Sequence, residues 1–173
     1  HLIADPVMDF PTITVPVVFH LLVTDKNINR YDGITTGLLQ GFIDRANKVF
    51  AGTYADDPVA VDSKIRFELA TVDVRGNKLA TPGINRVEMG TPAYGEVAGY
   101  INKNLLWDPN RILNIWVNDE IYGTNAYAPA YILDNGTAVP GLKMNSVATA
   151  DEVSFTSYRE VGITLTVSSI FSI

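Results

Sequence analysis

Histidine and cysteine, the side chains that most readily hold zinc or act as nucleophile and base near neutral pH, are scarce in this chain, and that scarcity limits its chemistry. It carries two histidines, His1 and His20, and no cysteine. Without a thiol there is no disulfide, no cysteine nucleophile and no sulfur-ligated zinc. A serine triad would have to use His20, and the nucleophile-elbow pattern G-x-S-x-G does not occur. Neither a Walker loop nor a dinucleotide-binding glycine pattern is present. Neighbouring acids stand at Asp56-Asp57, Asp119-Glu120 and Asp151-Glu152. Paired carboxylates cleave glycosides only when a pocket sets their separation, and adjacent acids in turns are ordinarily solvated. Asp25, Asn27 and Asn29 have the spacing of a calcium loop. Arg30 stands where that loop requires glycine, and Thr36 where it requires a bidentate glutamate. Segment 25–33 is therefore expected to be a polar turn held by side-chain to backbone bonds.

His1 is terminal, and His20 lies in an apolar run, so His20 is read as a hydrogen-bonded structural histidine. Glu160 beside Arg159 is a solvated acid, or a helix-start carboxylate favoured by the macrodipole.

The elements that must position these groups follow from periodicity. Residues 1–11 contain Asp5-Pro6 and Phe10-Pro11 and read as an extended N-terminal arm. Ile13–Val23 is β-branched and aromatic, a strand buried on both faces, with Pro16 limiting its pairing. Thr35 or Thr36 caps a helix on which Leu38, Leu39, Phe42, Ile43, Ala46, Val49 and Phe50 recur at helical spacing, stopped by Gly52. Ile65, Phe67 and Leu69 alternate with polar residues as a half-buried strand. The apolar phase then shifts to Ala70, Val72 and Val74, which suggests a bulge. Arg75-Gly76-Asn77 is a turn, and the glycines and prolines of 81–99 predict loop. Ile112–Val117 is another strand, and 121–146 reads as short strands joined by turns. In 157–173 the β-branched content (Val161, Ile163, Thr164, Thr166, Val167, Ile170) argues strand by propensity. Trp107 and Trp116 are expected in the core. The order of elements predicts one α/β (α+β) domain: a twisted mixed sheet with helices on one side.

The length of 173 residues suits one domain, and 47% hydrophobic against 18% charged residues is a folding composition. A net charge of −6 with no basic cluster argues against nucleic acid as partner. No apolar run reaches the roughly 20 residues that span a bilayer. The start at His1 without Met suggests a processed form, with any signal or lipid anchor already removed.

Five blocks, taken in order, resemble the catalytic domain of pappalysin-type zinc metallopeptidases, the ulilysin-like branch of the metzincin clan. They are VPVVFHLLV at 15–23, IDRANKVF at 43–50, IRFELATVD at 65–73, GINR at 83–86 and WDPNRILNIWV at 107–117. LNIWV after WDP is the most telling. Tyr127-Ala128-Pro129 matches the family's Y-A-x-P. The resemblance covers residues 12–173 and implies a metzincin-like fold.

It also implies where the metal motif, H-E-x-x-H-x-x-G-x-x-H, should stand. That position reads Arg159-Glu160-Val161-Gly162-Ile163-Thr164-Leu165-Thr166-Val167-Ser168-Ser169. Glu160, Val161, Gly162 and Leu165 agree with the family, and Phe171 matches the aromatic residue that follows. The ligand positions, however, are Arg159, Ile163 and Ser169, and Thr166 replaces the bend glycine. In the family, two imidazoles on one helix face and a third beyond the bend leave zinc an open position for water. The metal lowers that water's pKa to about 7 and the glutamate takes its proton. Arg159 is a permanent cation, Ile163 has no donor and Ser169 is a poor one. Glu160 is then a vestigial base, and no zinc cofactor is expected.

The family's zinc helix is followed by a subdomain with a methionine-bearing turn, and this sequence ends at Ile173. The apolar Ile163, Leu165, Val167, Ile170 and Phe171 are then expected to form a strand, to pack on another subunit, or to belong to a truncated product. The resemblance implies an extracellular, periplasmic or cell-surface lipoprotein location, and an inactive relative that binds extended peptide or protein. The alternatives are an active zinc endopeptidase and an adhesive surface module without a cleft.

Overall fold

The structure is a computed structural model that describes residues 10–25, 28–55, 58–93, 100–118, 126–127, 130–132, 138–140 and 162–166. The arm at 1–11 lies almost wholly outside these residues, as do the acidic pairs at 56–57, 119–120 and 151–152.

The strand β1 (Ile13–Thr24) organises everything else. Its residues from Val17 to Thr24 are all buried, as a run apolar on both faces requires. The chain then makes a one-turn helix, α1 (Ile28–Tyr31), inside the segment expected to be only a turn. Helix α2 (Thr36–Phe50) follows. Its N-cap is Thr35, whose Oγ1 accepts from the Leu38 N–H at 3.2 Å. It ends at Gly52 (φ +70°) with the Thr53 N–H donating to the Lys48 carbonyl, the closing bond of a Schellman turn. Leu39 and Ile43 point into the core, whereas Val49 and Phe50, read as part of the apolar stripe, are 52% and 38% exposed.

Strand β2 (Ile65–Leu69) returns parallel to the first half of β1, Ile13 opposite Ile65 and Val17 opposite Leu69. It stops at Leu69 rather than continuing through a bulge, and Val72 and Val74 stand exposed in a small hairpin. The chain then comes back to the same side of β1. Ala70 donates to Val17, Gly83 donates to Ala70 at 2.7 Å, and Phe19 donates to Gly83. From there β3 (Ile84–Gly90) runs parallel to the second half of β1. This corrects the loop expected over 81–99: Gly83 and Gly90 punctuate a strand whose ladder partner is distant in sequence. Gly83 has φ +76°, and a Cβ there would lie 2.6 Å from a Leu69 methyl.

On the other side of β1 lies β4 (Leu113–Asn118), from Val17 opposite Leu113 to Leu21 opposite Val117. The bonds from Ile13, Val17 and Phe19 go to the β2–β3 side, so Pro16 faces the β4 side just before that pairing begins. Its missing N–H costs the ladder nothing. Beyond β4 come β8 (Gly162–Thr166), parallel, and β5 (Ala126–Tyr127), antiparallel. A separate pair joins β6 (Ala130–Ile132) to β7 (Ala138–Pro140). The result is the mixed α/β sheet expected.

Both faces of β1 are covered. Val17, Phe19, Leu21 and Val23 pack with Leu39 and Ile43 of α2. On the other face Leu22 packs with Trp116, Ile101 and Leu105, the last two from a π-helical turn at Ile101–Leu105. Val18 packs with Trp107 and Ala70.

The outer edge of β2 is closed by Asn47 of α2. Its Oδ1 accepts from the Phe67 N–H at 2.7 Å and its Nδ2 donates to the Phe67 carbonyl at 2.9 Å, as a neighbouring strand would.

Candidate functional site

Strand alternation puts His20, Asn85 and Asn114 on one sheet face, because His20 lies opposite Asn85 on one side and next to β4 on the other. His20 is fully buried. Its Nε2 lies 2.9 Å from Asn114 Oδ1, and Asn85 Nδ2 lies 3.0 Å from its Nδ1. The Asn114 amide nitrogen donates to the carbonyls of Trp107 and Ile112 at 2.9 and 3.2 Å. That donor pattern leaves Asn114 Oδ1 as acceptor, so His20 carries its proton on Nε2 and accepts from Asn85 at Nδ1.

Two indoles close the pocket. Trp107 meets the imidazole edge-on with ring centroids 4.9 Å apart, and Trp116 stacks on it at 5.9 Å and 16°. Trp116 Nε1 donates to the Leu105 carbonyl. Burial in this box drives the His20 pKa down to about 4, with the Asn114 bond opposing the shift. The imidazole is neutral, and both its nitrogens are engaged by amides. It has no lone pair free for a metal and, among the described residues, no acid or hydroxyl partner for proton relay. The expected structural role is the one its contacts describe. Sequence reasoning did not find Asn85 and Asn114 as its partners, although each lies in a quoted block, GINR and LNIWV.

Within the segment aligned with the zinc motif, residues 162–166 are placed differently from what the resemblance implied. Gly162–Thr166 is strand β8, with Ile163 opposite Ile115 and Leu165 opposite Val117. This is the outcome that β-branched propensity favoured. An extended chain rises about 3.3 Å per residue, so it cannot present positions four apart at the roughly 6 Å spacing of a helix face. Arg159, Glu160 and Ser169 lie outside the described residues. Of the aligned ligand positions, the described residues include Ile163, which lies in a strand and has no donor atom, while His20 is engaged by two asparagine amides. Among the described residues no cluster of three or more His, Asp or Glu is arranged to hold an ion.

A groove of about 450 Å³ opens between the 71–79 hairpin and the 108–112 turn, lined in part by Glu68, Asp73, Asp108 and Arg111. Two of its three acids, Asp73 and Asp108, are already committed. Asp73 accepts from the N–H groups of Arg75 and Asn77 and from the Asn77 amide. The Asn77 side-chain bond leads the causes that hold the Asp73 pKa low. Asp108 accepts from Asn110 and sits 3.6 Å from Arg111.

The parallel sheet built on β1, backed by α2 and extended by an antiparallel edge strand, defines a metzincin-like α/β fold. Among solved structures the chain is similar to mirolysin of Tannerella forsythia. Mature mirolysin in complex with a cleaved peptide is 22% identical with a TM-score of 0.57, over 91% of this chain and 54% of that one. A promirolysin mutant is 24% identical at a TM-score of 0.57, over 91% and 47% of the two chains. Mirolysin in complex with compound 9 is also 24% identical at 0.57, over 91% and 53%. The chain thus spans about half the length of these structures, and the likeness is one of fold. No family model and no curated protein matches. Among the described residues no helix is long and apolar enough to cross a membrane.

Proposed function

We propose that this chain is a non-catalytic relative of secreted zinc metallopeptidases that binds extended peptide or protein without cleaving it. The observation that carries the proposal is the state of the imidazoles. In the motif of the resembling family three imidazoles hold the catalytic zinc and leave an open position. This sequence has two, and His20 is locked between two asparagine amides. Without a metal to acidify water, Glu160 faces a nucleophile with a pKa near 15.7. Peptide binding is supported by the antiparallel edge strand β5 beside β8, to which an extended segment can add. One mirolysin structure holds a cleaved peptide. By the same likeness the protein acts outside the cytoplasm.

The test loads the purified protein with zinc, removes excess metal and measures bound zinc and hydrolysis of fluorogenic peptides. A second arm measures binding of labelled casein-derived peptides by anisotropy. Substoichiometric zinc, no hydrolysis and saturable peptide binding are expected. Stoichiometric zinc with turnover would show an active endopeptidase, and absence of both turnover and peptide binding would favour an adhesive module.

A further inference from the structure

The edge of the sheet formed by β3 carries a pattern that fits its own copy. In the parallel ladder with β1, the backbone groups of Gly83, Asn85 and Val87 face β1, as the bond from Phe19 to Gly83 fixes, up to the register shift after Glu88. Those of Arg86 and Glu88 face outward, and no described residue pairs with them. The neighbouring edge strand β2 is closed by Asn47, so among the described residues the open stretch along this side of β1 is β3. Arg86 and Glu88 are exposed and share the α2 face, while Val87 and Met89 are half-buried on the other face.

We propose that two copies of this chain pair through their β3 strands, antiparallel about a two-fold axis at Val87, so that Arg86 of each copy meets Glu88 of the other. The geometry follows from parity. Antiparallel pairing centred on Val87 places residue 86 opposite residue 88 of the second copy, and these two positions are the ones whose backbone groups point outward. They exchange both N–H to carbonyl bonds, and their side chains fall on one face as an alternating ladder of two arginines and two glutamates. Opposite charges directly across strands attract, where a lysine-studded edge would repel its copy. Arg86 already holds Glu88 through Nε at 2.7 Å and Asp32 through Nη2 at 3.1 Å. Its guanidinium carries five N–H donors, so it can also bind a carboxylate of the second copy. The contact is isologous and closes at two copies.

Sedimentation equilibrium of the intact chain tests this with Glu88→Lys and Arg86→Glu. The wild type is expected to dimerise, more weakly at high salt. Each variant alone sets like charges across the ladder and should raise the dimer Kd by about tenfold or more. An equimolar mixture of the two restores opposite charges in every pair and should dimerise again, which a misfolded variant cannot do. If circular dichroism shows either reversal unfolded, Glu88→Gln and Arg86→Gln replace them, and each should weaken the dimer. A wild type that stays monomeric to its solubility limit overturns the proposal, even if it captures an extended peptide at this edge. So does a dimer indifferent to both variants, or a mixture of folded variants that remains monomeric.

Discussion

His20 and Asn114 meet across 94 residues of sequence in a hydrogen bond with a single consistent proton assignment. Because the Asn114 nitrogen donates to two carbonyls, its oxygen accepts from Nε2, and the Asn85 amide nitrogen at Nδ1 is matched by a neutral imidazole. Protonation would put a second N–H at Nδ1, facing the Asn85 amide donor. The folded pKa of about 4 lies below the ordinary 6.5, so the unfolded chain binds the proton more readily between those values. Stability from this site is therefore complete above pH 6.5, declines as pH falls toward 4 and levels off below; the gap corresponds to roughly 3 kcal/mol. Asp62 and Asp73 have lowered pKa values, so their contributions are lost only below the ordinary carboxylate value. Urea unfolding at pH 7 and pH 4.5 should show the loss, and His20→Gln should abolish most of the difference. Equal stability of the wild type at both pH values would refute the neutral-imidazole assignment.

Gly83 is the residue that lets the chain rejoin β1 after its excursion. Gly83→Ala demands a left-handed backbone from a residue with a Cβ and drives that atom into Leu69. The cost should be roughly 2 kcal/mol or more. A thermal midpoint within experimental error of the wild type would show that the β2–β3 junction is built otherwise.

Asn47 should matter more than an exposed helix polar residue. Asn47→Ala leaves the Phe67 N–H and carbonyl without their side-chain partners and should cost about 1–3 kcal/mol. Asn47→Asp can still accept but sets a carboxylate against the Phe67 carbonyl, so it should rescue little. Chemical denaturation measures both, and an Asn47→Ala protein that is as stable and as soluble as the wild type would argue against the edge-closing role.

The parts of the fold legible in the sequence are those whose signal is local. The apolar run of β1, the stripe and caps of α2, the alternation of β2 and the short strand sequence of β4 each reside in one window. Strand β3 escaped because its residues Asn85, Arg86 and Glu88 are polar and its flanks are glycines. Its stability comes from a ladder with Phe19–Thr24, which no window contains. The π-helical turn at Ile101–Leu105 carries only two buried apolar residues and shows no period. At the site, the structural role of His20 was legible from its place in an apolar run. The identity of the His20 partners was hidden because two other strands, β3 and β4, supply them. Over 162–166 two signals disagreed: family alignment implied helix and β-branched side chains implied strand. The ladder with β4 rewards the latter.

The way β2 and β3 lie end to end along one flank of β1 has an evolutionary consequence. Ala70 and Gly83 are tied by a 2.7 Å bond, so everything between them hangs from a fixed base while the ladder continues past it. Loop-closure entropy grows only slowly with length. The tip at Arg75-Gly76 is thus a graft point, where foreign sequence can be carried as cargo while the strands on either side keep their register.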